Sequence, residues 1–400
     1  MADTIPRHLQ PELLRATRQM PVVTVTGPRQ SGKTTLVRAA FPDADYVSLE
    51  DPQTRSEARG DPRGFLARLG RPAVIDEAQR APDLFSFIQV DVDDTDTSGQ
   101  FILGGSQDFL LLRSLSQSLA GRAAVLRLLP LSLTELRERD PLDPDRLGAV
   151  ESTRDRPWGD LMETLFRGFY PRVHAEGLDP GRWFADYFEL YVQRDARLVL
   201  NIGDLEAFGV FVRLAAGRNG QLLDLVGLAN DAGISHASAR RWLSVLESSY
   251  LVTRLRPHFR NLGKRLVKTP KLYFLDTGLL CYALGIRAPE ELWGHHARGA
   301  VFEAFVLAEL LKARRNARRE ADVWFWRDAA GHEVDFVIGS GERLLAVEAK
   351  SGRTVTSDAL KGLRYWRKLL DDPEAPAALA HGGDASWVQQ GIAIHRWSDL

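Results

Sequence analysis

The stretch that most constrains this chain is residues 21–35, PVVTVTGPRQSGKTT, where a β-branched run meets a glycine-bearing loop. The run at residues 22–26 predicts a strand that is covered on both faces. The G-x-x-x-x-G-K-T pattern that starts at Gly27 predicts a loop whose backbone N–H groups face phosphate oxygens at a helix N-terminus. A glycine turn that matches by chance is the alternative, but the strand before the loop and the helix-forming residues after it favour a phosphate-binding loop.

This loop contains the candidate nucleotide ligands. We expect Lys33 to reach the β- and γ-phosphates and Thr34 to coordinate Mg²⁺. The predicted cofactors are therefore ATP and Mg²⁺. The complete candidate set for nucleotide binding is Gly27, Pro28, Arg29, Gln30, Ser31, Gly32, Lys33, Thr34 and Thr35.

A second buried strand is predicted at residues 72–77, and its last two residues are Asp76 and Glu77. The carboxyl ends of parallel strands are where open α/β sheets bind ligands. We expect Asp76 to hold Mg²⁺ through water, and Glu77 to polarise the water that attacks the γ-phosphate. A solvated strand end is the simpler alternative, but the position of this acidic pair after a phosphate-binding loop favours the catalytic interpretation.

Two further residues are candidates for contact with the γ-phosphate. Ser106 follows a predicted strand at residues 101–103 and is either a sensor of that phosphate or an ordinary turn residue. Arg122 either reaches the nucleotide of a neighbouring subunit or pairs with a surface carboxylate. The first role of Arg122 would require a homo-oligomer, either a dimer or a ring.

Length and composition limit the wider possibilities. A chain of 400 residues is expected to form two or three domains. The net charge of −1 gives no global signal for a nucleic-acid partner, so such a claim must rest on local clusters of charge. Cys281 is the only cysteine, which excludes an intrachain disulfide and fits a reducing compartment. No apolar run is long enough for a membrane span, so a cytoplasmic protein without a membrane partner is predicted.

These motifs together resemble those of the prokaryotic AAA-type ATPases that carry a C-terminal domain of unknown function. The resemblance covers essentially the whole chain, and it implies an α/β fold with the parallel sheet of a P-loop NTPase of the AAA type. The matching stretches are residues 27–34, 75–77, 105–107, 120–122 and 130–132.

The middle of the chain is predicted to be helical. The polar, proline-bearing residues 140–160 mark a boundary. The aromatic side chains of residues 165–191 recur at helical spacing, which favours a helical lid packed on the nucleotide domain over a base-stacking platform. Residues 222–256 have the rhythm of a helix-turn-helix, with Gly233 in the turn.

A basic segment follows the second of these helices, since residues 254–271 contain seven Lys or Arg and no acidic residue. A basic hairpin wing beside a recognition-like helix predicts a winged-helix domain that contacts DNA through residues 236–271. Winged-helix domains also dock proteins, so that alternative stays open.

The C-terminal part contains a second candidate site on a predicted β-hairpin at residues 333–350. Strand alternation places Glu348 and Lys350 on one face, and the hairpin can bring Asp335 beside them. Such a group is costly to bury unless it binds a cation or forms internal ion pairs. The pattern resembles the PD-(D/E)XK nuclease core, a small restriction-endonuclease-like α/β domain. The resemblance implies Asp335 and Glu348 as Mg²⁺ ligands, Lys350 as a catalytic group and Glu303 as a supporting carboxylate.

The predicted organisation is therefore a P-loop ATPase domain at residues 1–140, a linker and helical lid at 141–200, a winged-helix domain at 201–285, and a nuclease-like domain at 286–400. The first functional hypothesis is an ATP hydrolase that acts on nucleic acid, with the C-terminal domain binding or cleaving it. The alternative is an ATP-switched interaction module, such as a toxin or defence component, whose nuclease-like fold is inactive.

Overall fold

The computed structural model describes residues 5–95, 97–105, 118–153, 159–192, 204–258, 267–340 and 343–400. The chain divides into two units by its internal contacts. The first contains the described residues of Met1–Leu131 together with Ser248–Tyr250 and Arg315–Arg319, and the second contains the remainder. The predicted Ser106 lies outside the described residues.

A parallel five-stranded sheet forms the centre of the first unit. Its strands are β1 (Val22–Thr26), β2 (Asp45–Ser48), β3 (Ala73–Asp76), β4 (Phe101–Gly105) and β5 (Ala123–Arg127). Their order across the sheet is β2-β3-β4-β1-β5, and every neighbouring pair is parallel. All five residues of β1 are buried, as its β-branched sequence predicts. The predicted α/β fold with a parallel sheet is therefore confirmed.

Helices cover both faces of this sheet. They are α1 (Gln10–Thr17), α2 (Lys33–Ala40), α3 (Pro52–Gly60), α4 (Pro62–Ala67) and α5 (Leu84–Thr95). One apolar cluster includes Phe65, Phe85 and Ile88 from the helices on one face. The other cluster includes Leu13 and Leu36 from the helices on the opposite face. Burial on both faces leaves the carboxyl ends of the strands as the place where polar residues gather.

The second unit begins with helices. They are α6 (Leu133–Leu136), α7 (Leu161–Arg167), α8 (Pro171–Ala175), α9 (Pro180–Tyr187), α10 (Leu205–Gly217), α11 (Leu225–Asp231) and α12 (His236–Ser248). A turn with Gly233 at φ 65° joins α11 to α12. Strands β6 (Val252–Leu255) and β7 (Lys271–Phe274) then form a separate antiparallel pair. Two further helices follow, α13 (Thr277–Ala283) and α14 (Pro289–Gly294).

The aromatic side chains of α9 are buried, as their helical spacing predicts. Trp183, Phe184 and Tyr187 are each at most 8% exposed, and the Tyr170 hydroxyl donates to the Tyr187 hydroxyl at 2.9 Å. Helix α9 packs against α13, which belongs to the same second unit. The packing of this segment as a lid on the nucleotide domain stays a prediction.

A mixed six-stranded sheet forms the C-terminal part of the second unit. In the chain, the sheet comes after the long helix α15 (Arg298–Asn316). Helix α16 (Lys361–Leu370) packs against one face of the sheet. Its strands are β8 (Val323–Arg327), β9 (Glu333–Ser340), β10 (Arg343–Lys350), β11 (Ala377–His381), β12 (Trp387–Gln389) and β13 (Ile392–Arg396), in the order β12-β13-β11-β10-β9-β8. Strands β9 and β10 are antiparallel, as the predicted hairpin requires, and β9 extends through Gly339 and Ser340. None of the helices in the described part of the chain has the length and apolarity needed to cross a bilayer.

Candidate functional site

The phosphate-binding loop runs from the end of β1 to the start of α2 and depends on unusual backbone angles. Gly32 has φ 90° and precedes α2 directly, and Gln30 has φ 60°. Gly27 has φ 152°, and a Cβ atom there would collide with the carbonyl oxygen of Leu128. Both glycines of the motif are therefore required by geometry, because a side chain would strain or obstruct the loop at either position.

The loop is held from within by Lys33, which is only 7% exposed. Its ammonium donates to the carbonyls of Gly27 at 3.0 Å and Pro28 at 2.7 Å. Pro28 and Ser31 are also buried, and Arg29 is half-buried. Lys33 thus places a positive charge inside the loop, where the sequence predicts the phosphates to bind.

Arg7 also supports the loop. Its guanidinium donates to the carbonyl of Ser31 at 2.6 Å and to the carbonyl of Leu129 at 2.7 Å. Sequence patterns do not predict this role of Arg7, because a lone arginine far from the motif carries no local signal. One side chain therefore joins the loop to the segment that follows β5.

Asp76, at the end of β3, accepts three hydrogen bonds from the surrounding elements. Its Oδ2 accepts from the Thr34 hydroxyl at 2.7 Å and from the Tyr46 hydroxyl at 3.0 Å. Its Oδ1 accepts from the backbone N–H of Glu77 at 3.0 Å. The structure therefore brings together Thr34 and Asp76, which are predicted to hold Mg²⁺ at the nucleotide, and adds Tyr46, which no local sequence pattern indicates.

Tyr46 is a neutral donor over the usual pH range. Burial, and then the charge of Asp76, raise the pKa of the Tyr46 hydroxyl to about 12. The Arg38 guanidinium lies 3.9 Å from the centre of the Tyr46 ring. Tyr46 reaches Asp76 because β2 pairs directly with β3, an arrangement that depends on strand order across the sheet.

Glu77 is held next to Asp76 by its backbone conformation and by Gln79. Its φ of 54° lies in the left-handed region, which is uncommon for a residue with a side chain. The side-chain amide of Gln79 donates to its carboxylate at 2.6 Å. Gln79 therefore orients the carboxylate that the sequence predicts as the water-polarising group.

These residues fit a Mg²⁺–nucleotide complex. Thr34 and Thr35 are exposed at the start of α2, and Thr34 and Asp76 offer the hard oxygen atoms that Mg²⁺ prefers. The Ser31 hydroxyl is buried, and the described residues offer it no hydrogen-bond partner. Both the donor set and this unsatisfied hydroxyl match a phosphate-binding loop.

Arg122 lies far from its own loop. It directly precedes β5, and its carbonyl accepts from the N–H of Val22, so it lies at the amino-terminal edge of the sheet. Its guanidinium forms a two-pronged ion pair with Asp93, with one N–O distance of 2.8 Å. That pairing is the alternative left open by the sequence, and action on a neighbouring subunit stays a prediction.

A second polar group gathers in the C-terminal sheet, and we call its four carboxyl residues, Glu303, Glu333, Asp335 and Glu348, the acid cluster. Lys350 lies 2.5 Å from Glu348 and 3.2 Å from Asp335. Asp335 also accepts from the backbone N–H of Ala349 at 2.9 Å. The structure therefore brings Asp335, Glu348 and Lys350 together as the hairpin predicts.

Glu303, on α15, contacts two side chains of β7. The Lys271 ammonium lies 3.2 Å from the Glu303 carboxylate and also pairs with Glu333. The Tyr273 hydroxyl donates to Glu303. Among the described residues, no group of three or more His, Cys, Asp or Glu has a metal-binding arrangement. The metal-binding roles of Glu303, Asp335 and Glu348 remain predictions.

The carboxyls of the acid cluster have different acidities. Burial and the neighbouring Asp335 raise the pKa of Glu348 well above its ordinary value, and the same two causes raise the pKa of Glu303. Burial would also raise the pKa of Asp335, but Lys350 and Lys271 lower it below its ordinary value. Asp335 is therefore the most readily ionised of these three carboxyls.

The stretch at residues 236–271 that is predicted to contact DNA is only partly exposed. Arg240, Arg241, Arg256 and Lys268 are exposed. Lys271 is instead 4% exposed and paired with carboxylates, so the prediction that its charge faces a partner is wrong. The remaining basic residues are Arg254, which pairs with Glu247, and Arg260, Lys264 and Arg265, which lie outside the described residues.

Three family profiles match the chain in succession. They are described as "AAA domain" over residues 19–137, "Domain of unknown function (DUF8612)" over residues 159–290, and "Domain of unknown function (DUF4143)" over residues 298–398. The AAA match includes the whole phosphate-binding loop together with Asp76 and Glu77.

Two mycobacterial proteins are similar over most of their length. They are the uncharacterized proteins Mb2031c of Mycobacterium bovis and Rv2008c of Mycobacterium tuberculosis. Each is 32% identical over 380 residues, which cover 94% of this chain and 80% of the relative.

Two solved structures are also similar. The Walker-type ATPase paby2304 of Pyrococcus abyssi is 14% identical, with a TM-score of 0.42, over 70% of this chain and 96% of its own. A single-substitution variant of RuvB from Thermotoga maritima is 18% identical, with a TM-score of 0.29, over 62% of this chain and 86% of its own.

Proposed function

Because the chain belongs to the family of AAA-domain proteins with a C-terminal domain of unknown function that includes the two mycobacterial relatives, we propose that it binds and hydrolyses ATP. One observation carries this proposal: the hydroxyl of Thr34 lies 2.7 Å from the carboxylate of Asp76. The loop and the strand end therefore meet at the carboxyl edge of the sheet, where P-loop ATPases place their chemistry.

Each residue of this site has a distinct task. Lys33 supplies the positive charge of the loop, and Thr34 and Asp76 hold Mg²⁺, with Asp76 acting through water. Mg²⁺ held by these residues would supply positive charge to the phosphate groups of the nucleotide. Glu77, oriented by Gln79, polarises the attacking water. The sensor role of Ser106 stays a prediction.

The test is ATP hydrolysis by Lys33→Ala in the full-length protein. We expect loss of turnover or of nucleotide binding, because the loop loses the charge that its phosphates require. Lys361→Ala is a matched control, since Lys361 is 71% exposed and pairs with Asp358, which is 74% exposed. Hydrolysis by Lys33→Ala at the wild-type rate would overturn the proposal.

Contact with DNA through a winged-helix domain is a second function that one observation supports. The two helices α11 and α12 are joined by a short turn and followed by the antiparallel pair β6 and β7. Arg240 and Arg241 are exposed on α12, and exposed arginines bind phosphate groups well.

The double variant Arg240→Glu/Arg241→Glu tests this function through the anisotropy of a labelled DNA duplex. We expect weaker binding than wild type and a smaller dependence on salt concentration, because each lost phosphate contact lowers the salt slope by about 1. Arg172→Glu is a matched control, since Arg172 is an exposed arginine on α8 that pairs with Glu176. Equal affinity and equal salt slope for wild type and the double variant would count against DNA contact here.

The sequence offers two roles for the C-terminal part, metal-dependent cleavage of nucleic acid and docking by an inactive nuclease-like fold. We favour docking, because each carboxyl of the acid cluster lies against a lysine ammonium. The deciding experiment is incubation of end-labelled single- and double-stranded DNA with Mg²⁺ or Mn²⁺, with and without ATP. Cleavage by wild type that is lost in Asp335→Ala would establish the nuclease role instead.

A further inference from the structure

Lys271 is a buried cation whose carboxylate partners belong to a different stretch of the chain. Its side chain is 4% exposed, and its ammonium contacts Glu303 at 3.2 Å and also Glu333. Lys271 lies within the DUF8612 match at residues 159–290, whereas both glutamates lie within the DUF4143 match at residues 298–398. The middle part of the chain thus supplies a charge to the C-terminal part.

The surroundings keep Lys271 charged. Burial alone would lower the pKa of its ammonium, but Glu303, Glu333 and Asp335 raise it above its ordinary value. The rings of Tyr273 and Phe325 lie 5.9 Å and 5.5 Å from the ammonium. A charged lysine in such a place is stable only while these carboxylates face it.

Two lysine ammonium groups contact all four carboxyls of the acid cluster. Lys271 contacts Glu303 and Glu333, while Lys350 contacts Asp335 at 3.2 Å and Glu348 at 2.5 Å. Each of the four carboxyls is therefore within 3.2 Å of an ammonium group. Carboxylates packed this closely require a counter-charge, and either a divalent cation or ammonium groups can provide it.

We infer that Lys271 and Lys350 are the resident counter-ions of the acid cluster, and that Lys271 takes the electrostatic place of a divalent cation. The cluster of the wild-type protein is then filled by the protein's own lysines. Replacement of Lys271 by a neutral side chain removes the ammonium that faces Glu303 and leaves Glu333 paired with Arg327, at 3.1 Å. The cluster then carries additional negative charge, which a divalent cation can neutralise. This inference does not depend on ATP hydrolysis.

The test is the thermal unfolding of full-length Lys271→Met with and without Mn²⁺. Asp76→Asn is included in every sample, so that the nucleotide site does not contribute to Mn²⁺ binding. We expect Lys271→Met to lower the unfolding midpoint by on the order of 5–10 °C, because it removes the buried ammonium that Glu303 and Glu333 face. Mn²⁺ is expected to restore most of this loss and to leave the midpoint of the Lys271-containing protein unchanged.

Two controls accompany this test. Lys268→Met removes an exposed lysine three residues earlier, and neither the substitution nor Mn²⁺ is expected to move its midpoint. Lys271→Met/Glu303→Gln removes the positive charge of Lys271 and the negative charge of Glu303 together. We therefore expect its midpoint to be higher than that of Lys271→Met in the absence of Mn²⁺. This double variant also keeps the inference testable if Lys271→Met fails to fold.

Two results would overturn the inference. One is a rise in the midpoint of the Lys271-containing protein on addition of Mn²⁺ that disappears when Asp335→Asn is introduced, since the wild-type cluster would then bind the metal. The other is a lowered midpoint of Lys271→Met that Mn²⁺ does not raise, together with an equally low midpoint of Lys271→Met/Glu303→Gln. The loss of stability would then not come from the charge of Lys271.

Discussion

At the scale of single residues, Asp76 is the point on which the nucleotide site depends. Both of its oxygens already accept hydrogen bonds, from Thr34, Tyr46 and the backbone of Glu77. The carboxylate of Asp76 therefore has one preferred orientation. Gly104, on the neighbouring strand β4, has no side chain and so leaves room for this carboxylate. A Cβ atom on Gly104 would lie 2.5 Å from the Asp76 Oδ1 atom.

Gly104→Ala should therefore displace the Asp76 carboxylate and reduce ATP hydrolysis by on the order of 100-fold, because small displacements of catalytic groups have effects of this size. Steady-state hydrolysis at several Mg²⁺ concentrations measures the effect. Gly60→Ala is the control, since a Cβ atom there meets nothing within 4 Å. Wild-type kinetics for Gly104→Ala would show that the orientation of Asp76 is not limiting.

At the scale of helices and strands, local sequence patterns predicted the elements, but not the contacts between them. The strand, loop and acidic pair of the first unit follow from short motifs, and residues 22–35 and 73–77 fold as those motifs indicate. Tyr46 was missed because its contact requires β2 to lie beside β3. A count of charges predicts that Lys271 faces a partner, because it does not show whether a strand is buried on both faces, as β7 is.

Strand β13 offers a test of pH dependence. Its His395 is buried, and the Nε2 atom of the imidazole ring lies 2.8 Å from the carbonyl oxygen of Leu147. Burial lowers the pKa of His395, and this effect outweighs the opposite influences of the Leu147 carbonyl and Asp399. Below about pH 6.5 the unfolded chain therefore takes up a proton at this histidine before the folded chain does, so acidification removes stability.

The urea midpoints of wild type and His395→Gln should accordingly converge as the pH falls from about 7.5 to about 5, because only wild type loses this contribution. The comparison with His395→Gln cancels the titration of all other groups, including the acid cluster. A gap between the two midpoints that stays constant or widens on acidification would contradict the assignment of a lowered pKa to His395.

At the scale of the whole molecule, the question is whether ATP hydrolysis requires more than one subunit. Arg122 lies at the sheet edge opposite the phosphate-binding loop, so it cannot act on the nucleotide of its own subunit. The side chains of Arg122 and Asp93 are 35% and 43% exposed, and ion pairs that water reaches contribute little to stability. Arg122 could therefore leave Asp93 at small cost if a neighbouring subunit placed a nucleotide beside it.

If Arg122 acts in this way, Arg122→Ala should lower the rate of ATP hydrolysis by about 10³-fold, and wild-type specific activity should rise with protein concentration. Asp93→Ala is the matched control, because it removes the partner of Arg122 and should leave hydrolysis intact. Unchanged hydrolysis by Arg122→Ala, or full activity of a dilute monomer, would rule out an assembly-dependent arginine.

The contact between Lys271 and Glu303 has a consequence for how the protein folds. The two residues lie on opposite sides of the border between two profile-matched regions, at residues 290 and 298, yet both belong to one unit. A fragment that ended at this border would contain a buried ammonium without its carboxylates, and the complementary fragment would contain carboxylates without their ammonium. The two regions are separate in their sequence matches, but neither is expected to fold without the other. They should therefore unfold together in a single transition.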